Sequence, residues 1–322
     1  MESTYIIFYF ISSILFILGI KMLSSPTTAR RGNLISFIGM SLAVTTTLLI
    51  VDYSLDSIIF IFSGIFVGSI VGLIFAKKVQ MTSMPQMVAI FNGLGGLASS
   101  LIAFSEIIRS DTTISLNIIS ISILISILIG SVTFSGSITG FLKLQSLITG
   151  KPILLPLRNY LNFILLVSII CLMVASFFYN EQTLIFYILI SSCLLLGILI
   201  VLPIGGADMP VIIALLNSYS GIVAAFTGFI FSNIALIISG SLIGASGLIL
   251  TRIMTKAMNR SLANVILGGF GATKENSNDE ASDKSYKSGS SDDVASLLEY
   301  SENIIIVPGY GLAVAQAQHS IK

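Results

Sequence analysis

Long, predominantly apolar stretches run along most of the chain, and charged residues fall largely in the short gaps between them and in the C-terminal part. Nine such runs are legible, at residues 4–23, 33–51, 55–76, 84–107, 114–141, 158–179, 183–202, 209–230 and 233–255. Each holds 19 to 28 residues, and about 20 residues of helix cross a hydrocarbon core of ~30 Å. Lipid offers the backbone no hydrogen-bond partners, so runs of this length must satisfy their N–H and C=O groups internally, as helices. The pattern predicts an all-α polytopic membrane protein with about nine transmembrane helices. The first run lacks a basic segment ahead of it and a small-residue cleavage site, so it reads as a retained helix rather than a signal peptide.

The texture changes near residue 260 and divides the chain into three parts. Residues 1–260 form the transmembrane domain. Residues 261–290 begin with an apolar stretch ending in glycines, which reads as a membrane-exit hinge, and continue as a polar linker of Lys, Glu, Asn, Ser and Asp with too little apolar surface to fold alone. In residues 291–322, Ser291 caps an expected short helix through Val294, Leu297 and Leu298, with Asp292 and Asp293 favourable in its first turn. The run Ile304-Ile305-Ile306-Val307 then has the character of a buried parallel strand. Gly309-Tyr310-Gly311 and Val314 follow it, as in the strand, glycine turn and helix start that hold a dinucleotide pyrophosphate. GxGxxV alone is a weak signal, since one strand and one turn do not make a site.

Composition excludes other classes. Of 322 residues, 55% are hydrophobic and 10% charged, against roughly 25% charged in a soluble domain, and mean hydropathy is +1.00. A net charge of +1 gives no field for nucleic acid. Cys171 and Cys193 lie in apolar runs without a Cys/His cluster, so they read as small buried hydrophobes and no metal site is expected.

Charge also orients the chain, because basic connections stay on the cytoplasmic side. Lys21, Arg30, Arg31, Lys77, Lys78, Lys143, Lys151, Arg158, Arg252, Lys256 and Arg260 follow odd-numbered runs, whereas Arg109 alone follows an even-numbered one. The N-terminus is therefore expected outside and the C-terminus in the cytoplasm.

Few polar groups interrupt the spans. Asn92 and Asn217 lie a third to half way along runs four and eight, and an amide there must face the bundle interior or a water path. Interhelical hydrogen-bonding and a place on a pathway are both open readings. Pro85 and Pro210 fit first helical turns, and Asp208 precedes run eight, where its charge suits the helix N-terminus. Small residues at Gly93 through Gly96, Ser135-Gly136-Ser137 and Gly244-Ala245-Ser246-Gly247 predict close helix approach. No titratable group is central to a span: Glu106 is near an end, and His319 lies beyond the ninth run.

The strings KKVQMTSMPQMVAIFNGLGGL (77–97), VTFSGSITGFLKL (132–144), GGADMPVIIALLNSYSG (205–221), KAMNRS with GGFG (256–271) and VPGYGLAVAQAQ (307–318) resemble the beta subunits of proton-translocating NAD(P) transhydrogenases. The resemblance covers essentially the whole chain. It implies a proton-conducting membrane domain joined by a linker to a cytoplasmic NADP(H)-binding domain, in an inner-membrane enzyme whose alpha subunit carries the NAD(H) site. It also implies hydride transfer from NADH to NADP⁺ coupled to inward proton movement, and a dimer of protomers in membrane lipid. Residue by residue, it places Asn92 and Asn217 on the proton path, with Ser135 and Asp208 as further positions. It places Arg260, Gly268, Gly269 and Gly271 at the coupling hinge, and Gly309, Tyr310, Gly311 and Val314 at the start of the NADP(H) fold. Some family members carry histidine at the position of Asn92. An amide does not titrate, so Asn92 and Asn217 are expected to order waters while the partner subunit supplies the protonatable group. The chain ends at Lys322, soon after its Rossmann-like β-α start. Alone it is therefore expected to hold no cofactor and no catalytic residue. Either a separate polypeptide completes the NADP(H) domain, or the chain is a non-catalytic remnant; a stand-alone transporter without a redox role is the remaining alternative.

Overall fold

The computed structural model describes residues 2–50, 54–109, 117–178, 182–259, 261–266 and 291–307. The chain forms two compact units, Met1–Gly271 and Ala272–Lys322. In the first, nine long helices follow one another among the described residues: α1 Glu2–Leu23, α2 Ala29–Ile50, α3 Leu55–Lys78, α4 Met84–Arg109, α5 Ile118–Leu144, α6 Arg158–Ala175, α7 Gln182–Val201, α8 Met209–Ile230 and α9 Ile234–Ala257. All nine are long and apolar enough to cross a membrane. The short helix α10, Leu262–Ile266, completes this unit, and α11, Ser291–Glu299, lies in the second.

Local chemistry explains several boundaries that differ from the apolar runs. Helix α5 starts at Ile118 because Asn117 caps it, its side chain accepting from the Ser120 N–H at 2.8 Å. Helix α2 reaches back through Arg30 and Arg31, which are tolerated because only the apolar part must lie in hydrocarbon. Helix α6 stops at Ala175 and gives way to turn at Ser176–Phe178, four residues short of the run. Helix α9 is capped by Asn233, which accepts from the Leu236 N–H at 3.1 Å. Asn233→Ala is expected to cost about 1 kcal/mol, read as a lower unfolding midpoint of the detergent-solubilised chain.

Helix α5 is the centre of the bundle and packs against α4, α7 and α8; α6 lies on α7, α9 on α8, and the α1–α2 hairpin on α9. Helices α5 and α8 are the most buried. Helix α3 has no buried residue and meets α4 through an edge-to-face contact of Phe75 with Phe91 at 6.2 Å. One apolar cluster joins Ala103, Ile123, Ile127, Phe186, Leu189 and Cys193 between α4, α5 and α7. A second gathers Val201, Ile204, Met209, Ile212 and Leu216 at the α7–α8 connection, together with Val265 of α10.

The small-residue stripes do bring helices together. A Cβ at Gly96 would sit 2.8 Å from the Gly130 carbonyl, and one at Gly130 would sit 2.7 Å from the Gly96 carbonyl, so α4 and α5 touch backbone to backbone. Gly95, by contrast, has nothing within 4 Å.

Three expectations are corrected or refined. Cys193 is buried, but Cys171 is exposed, because α6 turns a single face to the bundle and Cys171 is on the other. The apolar part of the expected hinge is the short helix α10, with Val265 only 2% exposed. In the second unit α11 forms as expected, but Asn303–Val307 carries no strand assignment and Ile305 and Val307 are exposed; a strand needs a neighbour to bond with, and no strand occurs among the described residues.

Candidate functional site

The most polar part of the bundle interior lies where α4, α5 and α8 meet. Asn92 is 7% exposed, and its side chain joins all three helices. Its Nδ2 donates to Ser137 Oγ of α5 at 2.9 Å, and Ser220 Oγ of α8 donates to its Oδ1 at 2.6 Å. Ser220 Oγ also lies 3.3 Å from the Asn92 carbonyl. The approach depends on Gly93, where a Cβ would already be 3.2 Å from the Ser137 Cβ. An amide both donates and accepts, so it joins two hydroxyls into one hydrogen-bonded chain, which a carboxylate or an ammonium alone does not do.

Further hydroxyls continue along the α4–α5 seam. Ser100 and Ser131 are bonded to each other at 2.9 Å, two helical turns from Asn92. Thr133, one turn from Ser137, lies against Gly96. Its Oγ1, like Ser126 Oγ, is buried with no hydrogen-bond partner among the described residues. A buried hydroxyl without a partner costs about 1–3 kcal/mol, so a seam holding two of them is a place where water gains bonds.

The residues singled out in the sequence are not all at this seam. Asn217 is half-buried on α8, three residues before Ser220, and its amide makes no hydrogen bond with the described residues. Ser135 faces the other way: its hydroxyl bonds back to the Ser131 and Val132 carbonyls, and it packs on Gly197 of α7. Asp208 is at the N-cap position of α8 and makes no side-chain cap bond there. Arg260, Gly268, Gly269, Gly271, Gly309, Tyr310, Gly311 and Val314 lie outside the described residues.

Ser137 and Ser220 escape a sequence reading because serine is common in close-packed helices, and the register of two helices selects which serines meet. Lys143 escapes for another reason. It counts as a loop cation by position, yet it is inside the last turn of α5 and 2% exposed, with its ammonium donating to the carbonyls of Leu202, Ile204 (2.7 Å) and Lys151 (3.4 Å).

This bundle matches a known membrane subunit along nearly its whole length. A family model described as the NAD(P) transhydrogenase beta subunit matches residues 5–322. The chain belongs to the NAD(P) transhydrogenase beta subunit family. The NAD(P) transhydrogenase subunit beta of Rhodospirillum rubrum is 43% identical over 323 aligned positions, covering 98% of this chain and 69% of the relative. The same subunit from a designated strain of that species gives the same values. The chain is thus a multi-pass membrane subunit of an enzyme, and its family implies an alpha subunit beside it and NADP(H) in the complete enzyme.

Proposed function

We propose that this chain carries protons inward across a cell inner membrane while the assembled transhydrogenase passes hydride from NADH to NADP⁺. The cluster of Asn92, Ser137 and Ser220 carries this reading, because it is a hydrogen-bonded chain spanning three helices around a buried amide. Each serine hydroxyl can accept a proton from a water on one side and release its own to a water on the other, and the amide, which does not ionise, holds both oxygens in line so that the proton passes beside it through water. Thr133 and Ser126 extend the same seam with hydroxyls that water can join. Asn217, one turn from Ser220, is placed to order water at the next step toward Asp208. Ser135 lies beside the path on the α7 side and supports the α5–α7 contact.

In this reading residues 1–260 conduct, 261–290 transmit the change, and 291–322 begin the part that meets NADP(H). The alpha subunit holds NAD(H) and contributes the group that titrates. The excess of Lys and Arg after odd-numbered helices supports an outside N-terminus and a cytoplasmic C-terminus. Two such protomers form the working dimer.

The test is inward proton movement in vesicles holding the assembled transhydrogenase, with the alpha subunit, this chain and the polypeptide that completes the NADP(H) domain, followed with a trapped pH dye after NADH and NADP⁺ are added. Asn217→Leu is expected to slow it about tenfold, the factor for one lost hydrogen bond of ~1.4 kcal/mol to an ordered water. Undiminished movement in the Asn92→Leu, Asn217→Leu double variant would overturn the pathway.

A further inference from the structure

The buried ammonium of Lys143 has no place in the proton seam, and its surroundings point to a different task. Its three acceptors are main-chain carbonyls from two separate connections. Leu202 and Ile204 belong to the segment between α7 and α8, and Lys151 to the one between α5 and α6. Those connections are also bonded directly to each other, through Ile153 N–H to the Leu202 carbonyl at 3.2 Å and Gly206 N–H to the Gly150 carbonyl at 2.8 Å. Lys143 sits under the junction, near the end of α7, where carbonyls left without helical partners favour a cation.

One side chain of the same segment, Ile204, shares an apolar cluster with α10. Ile204 is 1% exposed and shares an apolar cluster with Val201, Met209 and Val265, and Val265 is 2% exposed. A Cβ added at Gly140, one turn before Lys143, would sit 3.5 Å from Met209 Sδ, so α5 also backs this cluster directly. The 202–208 segment is therefore held through its carbonyls by the ammonium and, through Ile204, belongs to the apolar cluster in which Val265 of α10 is buried. The segment has only the 3₁₀ turn Gly206–Asp208 and a few main-chain bonds of its own, to which the carbonyl bonds from Lys143 add a charged anchor.

We propose that Lys143 is a positioning residue that clamps the α7–α8 connection as the seat of α10, so that movement in the proton seam of α5 and α8 reaches the chain beyond Val265. The clamp stands on the contacts above; its consequence for coupling rests on the proton reading given under Proposed function.

The test uses the assembled transhydrogenase in membranes, made of the alpha subunit, this chain and the polypeptide that completes the NADP(H) domain, with Val265→Cys as the reporter and the exposed Cys171 replaced by serine. A water-soluble maleimide labels position 265 slowly while α10 is seated. Lys143→Met is expected to raise the labelling rate roughly tenfold or more, because buried hydrogen bonds to a charged group are lost and the seat opens more often. Lys143→Arg, which keeps charge and donors, restores most of the protection. Ile204→Ala, which leaves the ammonium bonds in place but thins the seat, raises labelling as well. Unchanged labelling in Lys143→Met overturns the clamp. If that variant does not accumulate, Lys143→Gln, which keeps a donor but loses charge and reach, carries the same decision. A second readout concerns coupling: the stimulation of hydride transfer by an imposed proton gradient falls toward none in Lys143→Met and returns in Lys143→Arg. Opened labelling with full stimulation would overturn the transmission while leaving the clamp. Absence of proton movement in the unsubstituted complex would instead defeat the proton reading, with the labelling result untouched.

Discussion

Asn92→Leu is expected to reduce coupled proton movement by about two orders of magnitude while leaving the chain folded. Leucine matches asparagine in size but has neither donor nor acceptor. The substitution removes the 2.9 Å bond to Ser137 and the 2.6 Å bond from Ser220 together. At about 1.4 kcal/mol for each, two lost bonds correspond to roughly a hundredfold in rate if both are needed in the conducting arrangement. The effect on stability has a different size. Interhelical hydrogen bonds in membranes average about 0.6 kcal/mol, because the unfolded reference also finds partners. A purely structural Asn92 would therefore lower stability by about 1 kcal/mol and leave proton movement near its normal rate, whereas a conducting Asn92 shows a small stability loss and a large rate loss. Paired measurements of unfolding midpoint and proton uptake in the same vesicles separate the two. Asn92→Gln, which restores an amide one methylene further out, should recover part of the rate. Rate loss no larger than the stability loss would return Asn92 to the role of a packing contact.

The sequence made the scaffold legible because lipid leaves little choice. Nine apolar runs become nine helices among the described residues, since a backbone in hydrocarbon must bond within itself, and the adjustments were at ends, as where Asn117 and Asn233 add caps and where α6 stops at Ala175. Asn92 was legible for a related reason, as a polar side chain in an apolar run needs a partner. Its partners were not, because the choice of Ser137 over Ser135 is one of helix rotation. Ser137 points at α4 and Ser135 at Gly197 of α7, a difference of about 200° around α5. Lys143 was hidden by the same charge rule that orients the chain, which counts a cation near a helix end without asking where its ammonium goes. Ile304–Val307 shows the opposite limit: strand character is visible in four aliphatic residues, but a strand exists only in a sheet.

Gly221→Leu is expected to be the most damaging single change in the membrane unit, because α8 and α9 approach closely enough to put backbone where a side chain would go. A Cβ at Gly221 would meet the Gly244 nitrogen, and it would lie 2.8 Å from the Ile243 carbonyl carbon and 2.9 Å from the Gly240 oxygen. From the facing helix, a Cβ at Gly240 would meet the Ala225 nitrogen and lie 2.7 Å from the Gly221 oxygen. Rotamer changes relieve contacts with flexible side chains, but here the obstacles are main-chain atoms, so the helices must separate. Separation also breaks the 2.6 Å bond from Ser218 Oγ to the Gly244 carbonyl. Overpacking costs typically 1–3 kcal/mol, and with a buried hydrogen bond lost as well the sum is about 3 kcal/mol or more. The functional loss follows from position. Ser220 precedes Gly221 on α8, so a helix pushed away from α9 or rotated to relieve the clash carries Ser220 out of register with Asn92. The variant should therefore unfold at a markedly lower midpoint in detergent and, in whatever folded fraction survives, move protons as poorly as Asn92→Leu. Gly64→Ala on α3 is the matching control, since nothing lies within 4 Å of its Cβ position and alanine favours helix. Equal midpoints for Gly221→Leu and Gly64→Ala would show that α8 and α9 do not pack backbone to backbone.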